Sequence, residues 1–189
     1  MLAKFIRKEV TEEEFVLDDI RLWREVQPDI HRDDIMRCYS GIKLMPGARE
    51  VVKELQNRDI LVAIVSSGVD LLIGSIANML KVDDWAANGF EWDEEGWLIG
   101  SKPTVVQSHD KGITVEKFAR INSIDPENIV SVGDSGPDLS MMIPGSRFIG
   151  FNPAPNRGAE DFVKAGVPII EGQNLRNIWQ PMFGEPFPE

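Results

Sequence analysis

The sequence predicts an α/β fold, with a mainly parallel β-sheet, helices on both faces of the sheet and a small helical element attached. The first observation is that short β-rich segments alternate with amphipathic helical ones from residue 46 onward. The second is that residues 1–45 are charged and helical in pattern, with Phe15, Leu22 and Trp23 as apolar anchors and no convincing strand. We therefore divide the chain into a partial helical cap, residues 1–45, and an α/β core, residues 46–189.

The first half of the core is predicted to contain a helix, a strand, a second helix and a hairpin. Residues 46–59 open with a proline and place Val51, Val52 and Leu55 on one helical face. Residues 60–65, ILVAIV, have the composition of a strand that is buried on both faces. Residues 68–81 space apolar side chains four apart, and residues 86–100 flank DEEG with apolar and aromatic residues, which indicates a β-hairpin.

The second half of the core continues the alternation. Because strands separated by helices are joined by right-handed crossovers, this order predicts parallel pairing with helices on both faces. The predicted elements are a helix at 109–122, a strand at 128–133, a short helix from Pro137, a strand at 147–151, a helix at 156–166, a strand at 167–171 and a helix at 174–182.

The composition restricts the partners and the compartment. Twenty Lys and Arg against 31 Asp and Glu give a net charge of -11, so we predict binding to neither nucleic acid nor anionic membranes. No apolar run approaches the roughly 20 residues of a membrane span. The single Cys38 excludes an internal disulfide and fits a reducing cytosol. We predict a cytoplasmic protein, and the oligomeric state stays open, with a homodimer among the alternatives.

Two groups of residues suggest anion binding at the carboxyl ends of the strands, where ligands of open α/β sheets lie. Ser66, Ser67 and Gly68 are expected between the strand at 60–65 and a helix, so that hydroxyl and backbone N–H groups face an anion. The alternative is a serine that only caps the helix. Lys111 begins a predicted helix, where the helix dipole mildly disfavours a cation. A phosphate ligand would give this lysine a function.

A third group is Asp134 and Asp138, which follow a predicted strand in GDSGPDLSMM. Two carboxylates this close would repel each other unless a cation or a donor lay between them, and Mg²⁺ prefers carboxylate and water oxygens. The alternative is that Asp134 is a turn residue and Asp138 a helix-start carboxylate. We favour the metal-binding interpretation.

Taken in order, IVSSG, HDKG and GDSGPDLSM resemble motifs two, three and four of the haloacid dehalogenase (HAD) superfamily of phosphohydrolases. The segments MPGAREVVKEL, AANGFEWDEEGWLIG and RFIGF are similar to the phosphoserine phosphatase-like branch of that family. The resemblance covers about residues 40–180. It implies a Rossmann-like fold, Mg²⁺ as cofactor and a small phosphorylated metabolite as substrate.

The resemblance also implies roles for individual residues. Ser66 would hydrogen-bond the transferred phosphoryl group, supported by backbone N–H groups near Ser67 and Gly68. Lys111 would neutralise phosphate charge and orient the nucleophile. Asp134 would ligate Mg²⁺, and Asp138 would act in catalysis by supporting the metal shell or Lys111. Phosphoryl transfer is helped chiefly by such positioning and charge stabilisation.

The first motif of the family, Asp-x-Asp-x-Thr/Val at the end of a central strand, occurs nowhere in the chain. In the family its first aspartate forms an aspartyl-phosphate and its second is a general acid-base. The resemblance therefore implies a chain that begins inside the cap, lacks the central strand and turns over little or no substrate. We favour a truncated or misplaced start. The alternatives are a shortened, non-catalytic binding module with a rearranged or partner-donated strand, and a central strand supplied by LAKFIRKEV.

The predicted substrate is a small phosphomonoester. In phosphoserine phosphatases the cap offers a phenylalanine and, about two turns later, an arginine for the substrate carboxylate. Phe15 could match the first, but Leu22 stands seven residues on, with Arg21 and Arg24 beside it. Motif four also has Pro137 where an asparagine commonly stands. Both departures argue against phosphoserine itself, and a phosphotransferase with the same chemistry stays an alternative.

Overall fold

A computed structural model of the chain describes residues 1–153 and 158–189. The amino-terminal part is helical, as predicted, with α1 at Leu2–Ile6, α2 at Glu12–Val26 and α3 at Arg32–Cys38. A capping box begins α2, because the Glu14 N–H donates to Thr11 Oγ1 at 3.1 Å and the Thr11 N–H donates to Glu14 Oε2 at 2.7 Å. The segment LAKFIRKEV contains α1, so the suggestion that it forms a central strand is wrong.

The remainder alternates strands and helices and confirms the predicted α/β class. Short 3₁₀ turns lie at Pro126–Asn128, Gly136–Met141 and Leu175–Ile178. The strands and α-helices are α4 Ala48–Asn57, β1 Ala63–Val69, α5 Asp70–Leu80, β2 Asp84–Asn88, β3 Phe90–Trp92, β4 Leu98–Ser101, α6 Gly112–Ile121, β5 Val130–Gly133, β6 Arg147–Phe151, α7 Ala159–Ala165, β7 Ile169–Ile170 and α8 Trp179–Phe183.

The parallel strands form two sheets. One sheet pairs β1 with β2, the other has the order β5-β6-β7, and both contain only parallel pairs. The antiparallel hairpin of β3 and β4 is separate. Within residues 1–153 and 158–189, β1 is hydrogen-bonded to β2 alone and β5 to β6 alone. One edge of each of these strands therefore has no strand partner in the described part of the chain.

Several predicted boundaries are wrong. The strand predicted at 60–65 begins three residues later, and Ile60 and Leu61 are 36% and 49% exposed rather than buried. Residues 86–88 belong to the parallel strand β2 and not to the hairpin, which starts at Phe90. The helix from Pro137 is a 3₁₀ turn, the strand at 167–171 shrinks to two residues, and the last helix is part 3₁₀ and part α. Residues 156 and 157 of the helix predicted at 156–166 lie outside the described residues.

Two apolar clusters hold the helices against the strands. The predicted inward face of α4 is buried, and its Val51 and Leu55 pack with Ile149 of β6 and with Trp179, which is fully buried. Val62, Val130 and Val132 lie against the same cluster. The second cluster contains Val115, Met141, Phe148 and Phe162, with Val65 of β1 packed against it. Thus β1 packs on the second cluster and β5 on the first, and the two strands are not hydrogen-bonded to each other.

No helix in the described part of the chain combines the length and the apolar composition that a membrane span needs.

Candidate active site

A buried ion pair lies beyond the carboxyl end of β5. Lys111 Nζ lies 2.6 Å from Asp138 Oδ1, and the two side chains are 12% and 7% exposed. The loop before α6 brings Lys111 to this place, because the Lys111 N–H donates to Ser140 Oγ at 2.9 Å. Gly112 permits the close approach, since a Cβ there would lie 2.5 Å from the Ser140 carbonyl oxygen. The lysine is therefore held by both its backbone and its side chain.

The second oxygen of Asp138 is also fully occupied. Asp138 Oδ2 accepts hydrogen bonds from the backbone N–H groups of Asp134 and Ser135 at 3.1 and 3.0 Å, and from Ser135 Oγ at 2.8 Å. Gly133 leaves room for this carboxylate, because a Cβ there would lie 2.4 Å from Asp138 Cβ. Asp138 thus closes the 3₁₀ turn and positions Lys111. Of its two implied roles, support of the metal shell or of Lys111, the contact with Lys111 is the one present among the described residues, and the catalytic role stays a prediction.

The two aspartates have opposite pKa shifts. Burial alone would raise the pKa of Asp138, but the hydrogen bond and charge of Lys111, together with the Ser135 donors, hold it below its usual range. Asp134 is exposed at the surface. Its pKa is nevertheless raised, first by partial burial of the carboxyl and then by the charge of Asp138. Asp134 is therefore a carboxylate without sufficient compensating positive charge.

Asp134 has the donor chemistry that Mg²⁺ prefers, because its carboxylate is not committed to Lys111. In the described residues, no group of three or more histidine, cysteine, aspartate or glutamate side chains converges there or elsewhere. A magnesium ion at Asp134 would therefore take its other ligands from water, from a phosphate or from a residue outside such a cluster. The described residues therefore fit Mg²⁺ by supplying one ligand, Asp134, and not a complete coordination shell.

The predicted phosphate-binding residues lie on the other parallel sheet. The prediction that Ser66, Ser67 and Gly68 follow the strand at a helix start is wrong, because all three lie in β1 and α5 begins at Asp70. The pairing with β2 is irregular between Val65 and Val69, and the Gly68 N–H donates to Ser66 Oγ at 3.0 Å. Among described residues, no hydrogen bond joins these three to Lys111, Asp134 or Asp138.

Asn88, which was not predicted as a site residue, connects the Ser66–Gly68 segment of β1 with the loop that precedes Lys111. Its Nδ2 donates to the carbonyl oxygens of Ser67 at 3.3 Å and Val106 at 2.9 Å. Its Oδ1 accepts from the N–H groups of Val105 and Val106, both at 2.9 Å. The end of β1 is thereby tied to the loop that leads to Lys111. The segment AANG, which contains Asn88, could have indicated this role, but it was predicted only as part of a hairpin.

The helical part is anchored on the same loop. Glu12 is buried, and its carboxylate accepts hydrogen bonds from Ser108 Oγ at 2.7 Å and the Ser108 N–H at 3.0 Å. Phe5 stacks on Phe15 with ring centroids 4.5 Å apart and lies 5.1 Å from the ring of His109. Glu12 and Ser108 were missed from the sequence, because a glutamate at a helix start usually faces solvent.

Neither arginine of the substrate prediction faces the core site. Arg21 pairs with Asp18 and Glu25 on the surface of α2, and Arg24 Nη2 donates to the Leu98 carbonyl oxygen at 2.6 Å. Both guanidinium groups are therefore committed to contacts within the protein.

The sequence of the chain is similar to those of known phosphatases. Residues 11–142 match the family model described as haloacid dehalogenase-like hydrolase. The phosphoserine phosphatase of Methanocaldococcus jannaschii is 33% identical over 152 residues, which cover 79% of this chain and 69% of the relative. That of Archaeoglobus fulgidus is 32% identical over 153 residues, which cover 80% of this chain but only 43% of the relative.

Solved structures show the same similarity. A substrate-bound phosphoserine phosphatase complex has a TM-score of 0.72 and 29% identity, covering 94% of this chain and 83% of that one. A phospho-aspartyl intermediate analogue of phosphoserine phosphatase has a TM-score of 0.71 and 31% identity, with the same coverage of 94% and 83%. The chain belongs to the haloacid dehalogenase-like hydrolase family. Within that family it falls in the phosphoserine phosphatase-like branch.

Proposed function

We propose that the chain supplies the phosphate- and metal-binding part of a Mg²⁺-dependent phosphomonoester hydrolase, and that the 189-residue chain alone turns over little or no substrate. The observation that carries the proposal is the buried Lys111–Asp138 pair beside Asp134, at the carboxyl end of β5. The Lys111 side chain is only 12% exposed, and burying a charged pair costs desolvation free energy. A function for the lysine charge is the simplest explanation for its burial.

Each residue has a defined role in this proposal. Lys111, held by Asp138, neutralises charge on the phosphate oxygens. Ser66 and the N–H groups near Ser67 donate hydrogen bonds to the same phosphate from the β1 side. Asp134 holds Mg²⁺, which when bound supplies further positive charge to the phosphate oxygens. Phosphoryl transfer gains most from this kind of positioning and electrostatic stabilisation.

The nucleophile is the component that these residues do not include. The sequence contains no Asp-x-Asp, whereas one of the similar solved structures is a phospho-aspartyl intermediate analogue of phosphoserine phosphatase. In that chemistry an aspartate oxygen attacks phosphorus, the bond to the alcohol oxygen breaks and the alcohol leaves with a proton. Water then cleaves the acyl-phosphate. The edges of β1 and β5 that have no strand partner within residues 1–153 and 158–189 offer backbone groups to a further parallel strand, which would carry such an aspartate between Ser66 and Lys111.

Calorimetric titration of the 189-residue chain with inorganic phosphate in the presence of Mg²⁺ tests the binding part. We expect binding that weakens by about tenfold or more in Lys111→Met, because loss of a charge-assisted hydrogen bond to phosphate costs about 1.5 to 3 kcal/mol. Lys164→Met is the matched control, since Lys164 is 71% exposed on α7. Equal binding by the two variants would contradict the phosphate role of Lys111.

A phosphate-release assay tests the catalytic part. We expect no release above background from p-nitrophenyl phosphate, with or without Mg²⁺. Mg²⁺-dependent release that Asp134→Ala abolishes would show that the predicted inactivity is wrong. If the protein purified from its native cells binds phosphate but releases none from p-nitrophenyl phosphate, the second candidate function is favoured, a non-catalytic phosphate-binding module. The absence of Asp-x-Asp from the sequence supports this candidate. The exposed thiol of Cys38 fits a cytoplasmic setting for either.

A further inference from the structure

A cavity of about 240 Å³ lies between the helical part and the α/β core. Ser67 and Gly68 of β1 form part of its wall, so it adjoins the proposed phosphate position. Aromatic rings of Phe15 and Trp23 from α2 and Phe90 from β3 form another part. The volume suits a small group, since drug-sized ligands occupy about 300 to 1,000 Å³. The space is therefore placed to hold the alcohol part of a phosphomonoester.

The charged side chains around the cavity are mostly acidic. Glu12, Glu13 and Asp19 line it from α2, and Glu12 is already occupied by Ser108. Glu13 and Asp19 have no hydrogen bond or ion pair to their side chains among the described residues, in contrast to the paired acids Glu14 and Asp18. Two carboxylates that no described side chain pairs with thus line a cavity with aromatic walls, and only the more distant positive charge of the amino terminus acts on Asp19.

Lys102 is the one basic residue among the described residues that line the cavity, and its charge is already balanced. Its Nζ lies 2.9 Å from Asp70 Oδ2, and the Asp70 side chain is only 19% exposed. The other oxygen, Asp70 Oδ1, is buried without a hydrogen-bond partner, so the carboxylate depends on this lysine. A ligand that recruited Lys102 would leave Asp70 buried without its cation.

We propose that this cavity receives an alcohol that carries a positively charged amino group and no carboxylate. The substrate class would then be the phosphate monoesters of amino alcohols. This proposal rests on the proposed function, because it assigns the leaving group of the same reaction. A carboxylate in the cavity would meet Glu13 and Asp19 without an available cation, whereas an ammonium group would be attracted by both and by the aromatic faces. Phosphoserine carries both groups and is therefore disfavoured relative to phosphoethanolamine.

Calorimetric titrations of the chain with Mg²⁺ and four probes test the proposal. The probes are inorganic phosphate, phosphoethanolamine, phosphoserine and glycerol 3-phosphate. We expect phosphoethanolamine to bind about tenfold more tightly than phosphoserine, with glycerol 3-phosphate between them, because like-charge contacts are strongly unfavourable. In the double variant Glu13→Gln, Asp19→Asn, the ratio should fall to about threefold or less. Glu25→Gln, a surface acid on the same helix, is the control and should keep the ratio.

The outcomes separate this proposal from the function on which it rests. If inorganic phosphate does not bind, the proposed function is wrong and the leaving-group assignment falls with it. If phosphate binds but phosphoserine binds as tightly as phosphoethanolamine, only the leaving-group assignment is overturned. The same holds if the double variant keeps the wild-type ratio. Loss of phosphoserine binding in Lys102→Gln, with phosphoethanolamine unaffected, would show that Lys102 takes a carboxylate and would also overturn the assignment.

Discussion

The two sides of the candidate site differ in how completely the chain builds them. On the β5 side, Asp138 is 5% exposed, and its carboxylate accepts four hydrogen bonds, one from Lys111, one from Asp134 and two from Ser135. On the β1 side, Ser66 and Ser67 lie on a strand with one partner, and Gly68 is exposed. The side that holds Lys111, and that is proposed to bind the metal, is preorganised, whereas the side that would face the phosphate from β1 is less constrained.

The difference follows from local and long-range contacts. The β5 side is built mostly from residues within five positions of one another, so a tight turn and a capping box suffice. Only Lys111 comes from a distant part of the chain. The β1 side depends on strand pairing, and one edge of β1 has no partner in the described residues. A further strand along that edge would constrain β1 more strongly and so reduce the difference in preorganisation between the two sides.

The largest expected effect is the loss of the buried carboxylate. Asp138→Ala leaves Lys111 without its counter-ion and opens the 3₁₀ turn, so we expect the free energy of unfolding to fall by about 3 to 5 kcal/mol. Ser66→Ala removes one hydrogen bond on the less buried side and should cost only about 0.5 to 1 kcal/mol. Urea denaturation of both variants measures the contrast. Equal losses would show that the two sides are built to the same stability.

A second test uses hydrogen exchange along the strands. The strand β6 is paired on both sides, and its Phe148 and Ile149 are each 2% exposed, whereas β1 is paired on one side. We expect the amides of β6 to exchange about 100-fold more slowly than those of β1, which corresponds to about 2.7 kcal/mol in local opening. Comparable protection in β1 would indicate that its open edge is covered in solution, for example by a second molecule.

The smallest effect concerns pH. Because the folded pKa of Asp138 is lowered, its ionised form stabilises the fold above the unfolded pKa of about 3.9, and this contribution is lost as pH falls through the folded value. We expect the stability difference between wild type and Asp138→Asn to be constant above about pH 5 and to shrink below about pH 4. Urea denaturation from about pH 6 down to about pH 3 measures it, and a difference that stays unchanged over this range would contradict the shift.

Asp134 is the internal control for this pH test, because its pKa moves the other way. A raised folded pKa favours the protonated acid, so the stabilising contribution is present below the unfolded pKa and is lost as pH rises through the folded one. Without Mg²⁺, Asp134→Asn should therefore be slightly more stable than wild type at neutral pH. Addition of Mg²⁺ should stabilise wild type and not this variant. A destabilised variant in metal-free buffer would contradict the sign.

The sequence alone determined the fold class, the order of most elements and the residues of the β5 side. The alternation of apolar runs and amphipathic helices depends on local periodicity, which a sequence displays directly. Lys111 and the pair Asp134 and Asp138 were predicted as separate candidate groups at the same edge of the sheet, and in the structure Asp138 contacts both Lys111 and the Asp134 backbone. The missing Asp-x-Asp was equally visible, because a motif either occurs in a sequence or does not.

Only the tertiary structure decided the boundaries and contacts that depend on distant partners. The strand predicted at 60–65 moved to Ala63–Val69, because parallel pairing with β2 and not hydrophobicity sets its ends. The pairing of Asp138, and not Asp134, with Lys111 is a hydrogen bond between residues 27 positions apart. The acids and rings that line the cavity include side chains of α2 and β3, and Ser67 and Gly68 come from β1; such convergence has no signature in local periodicity.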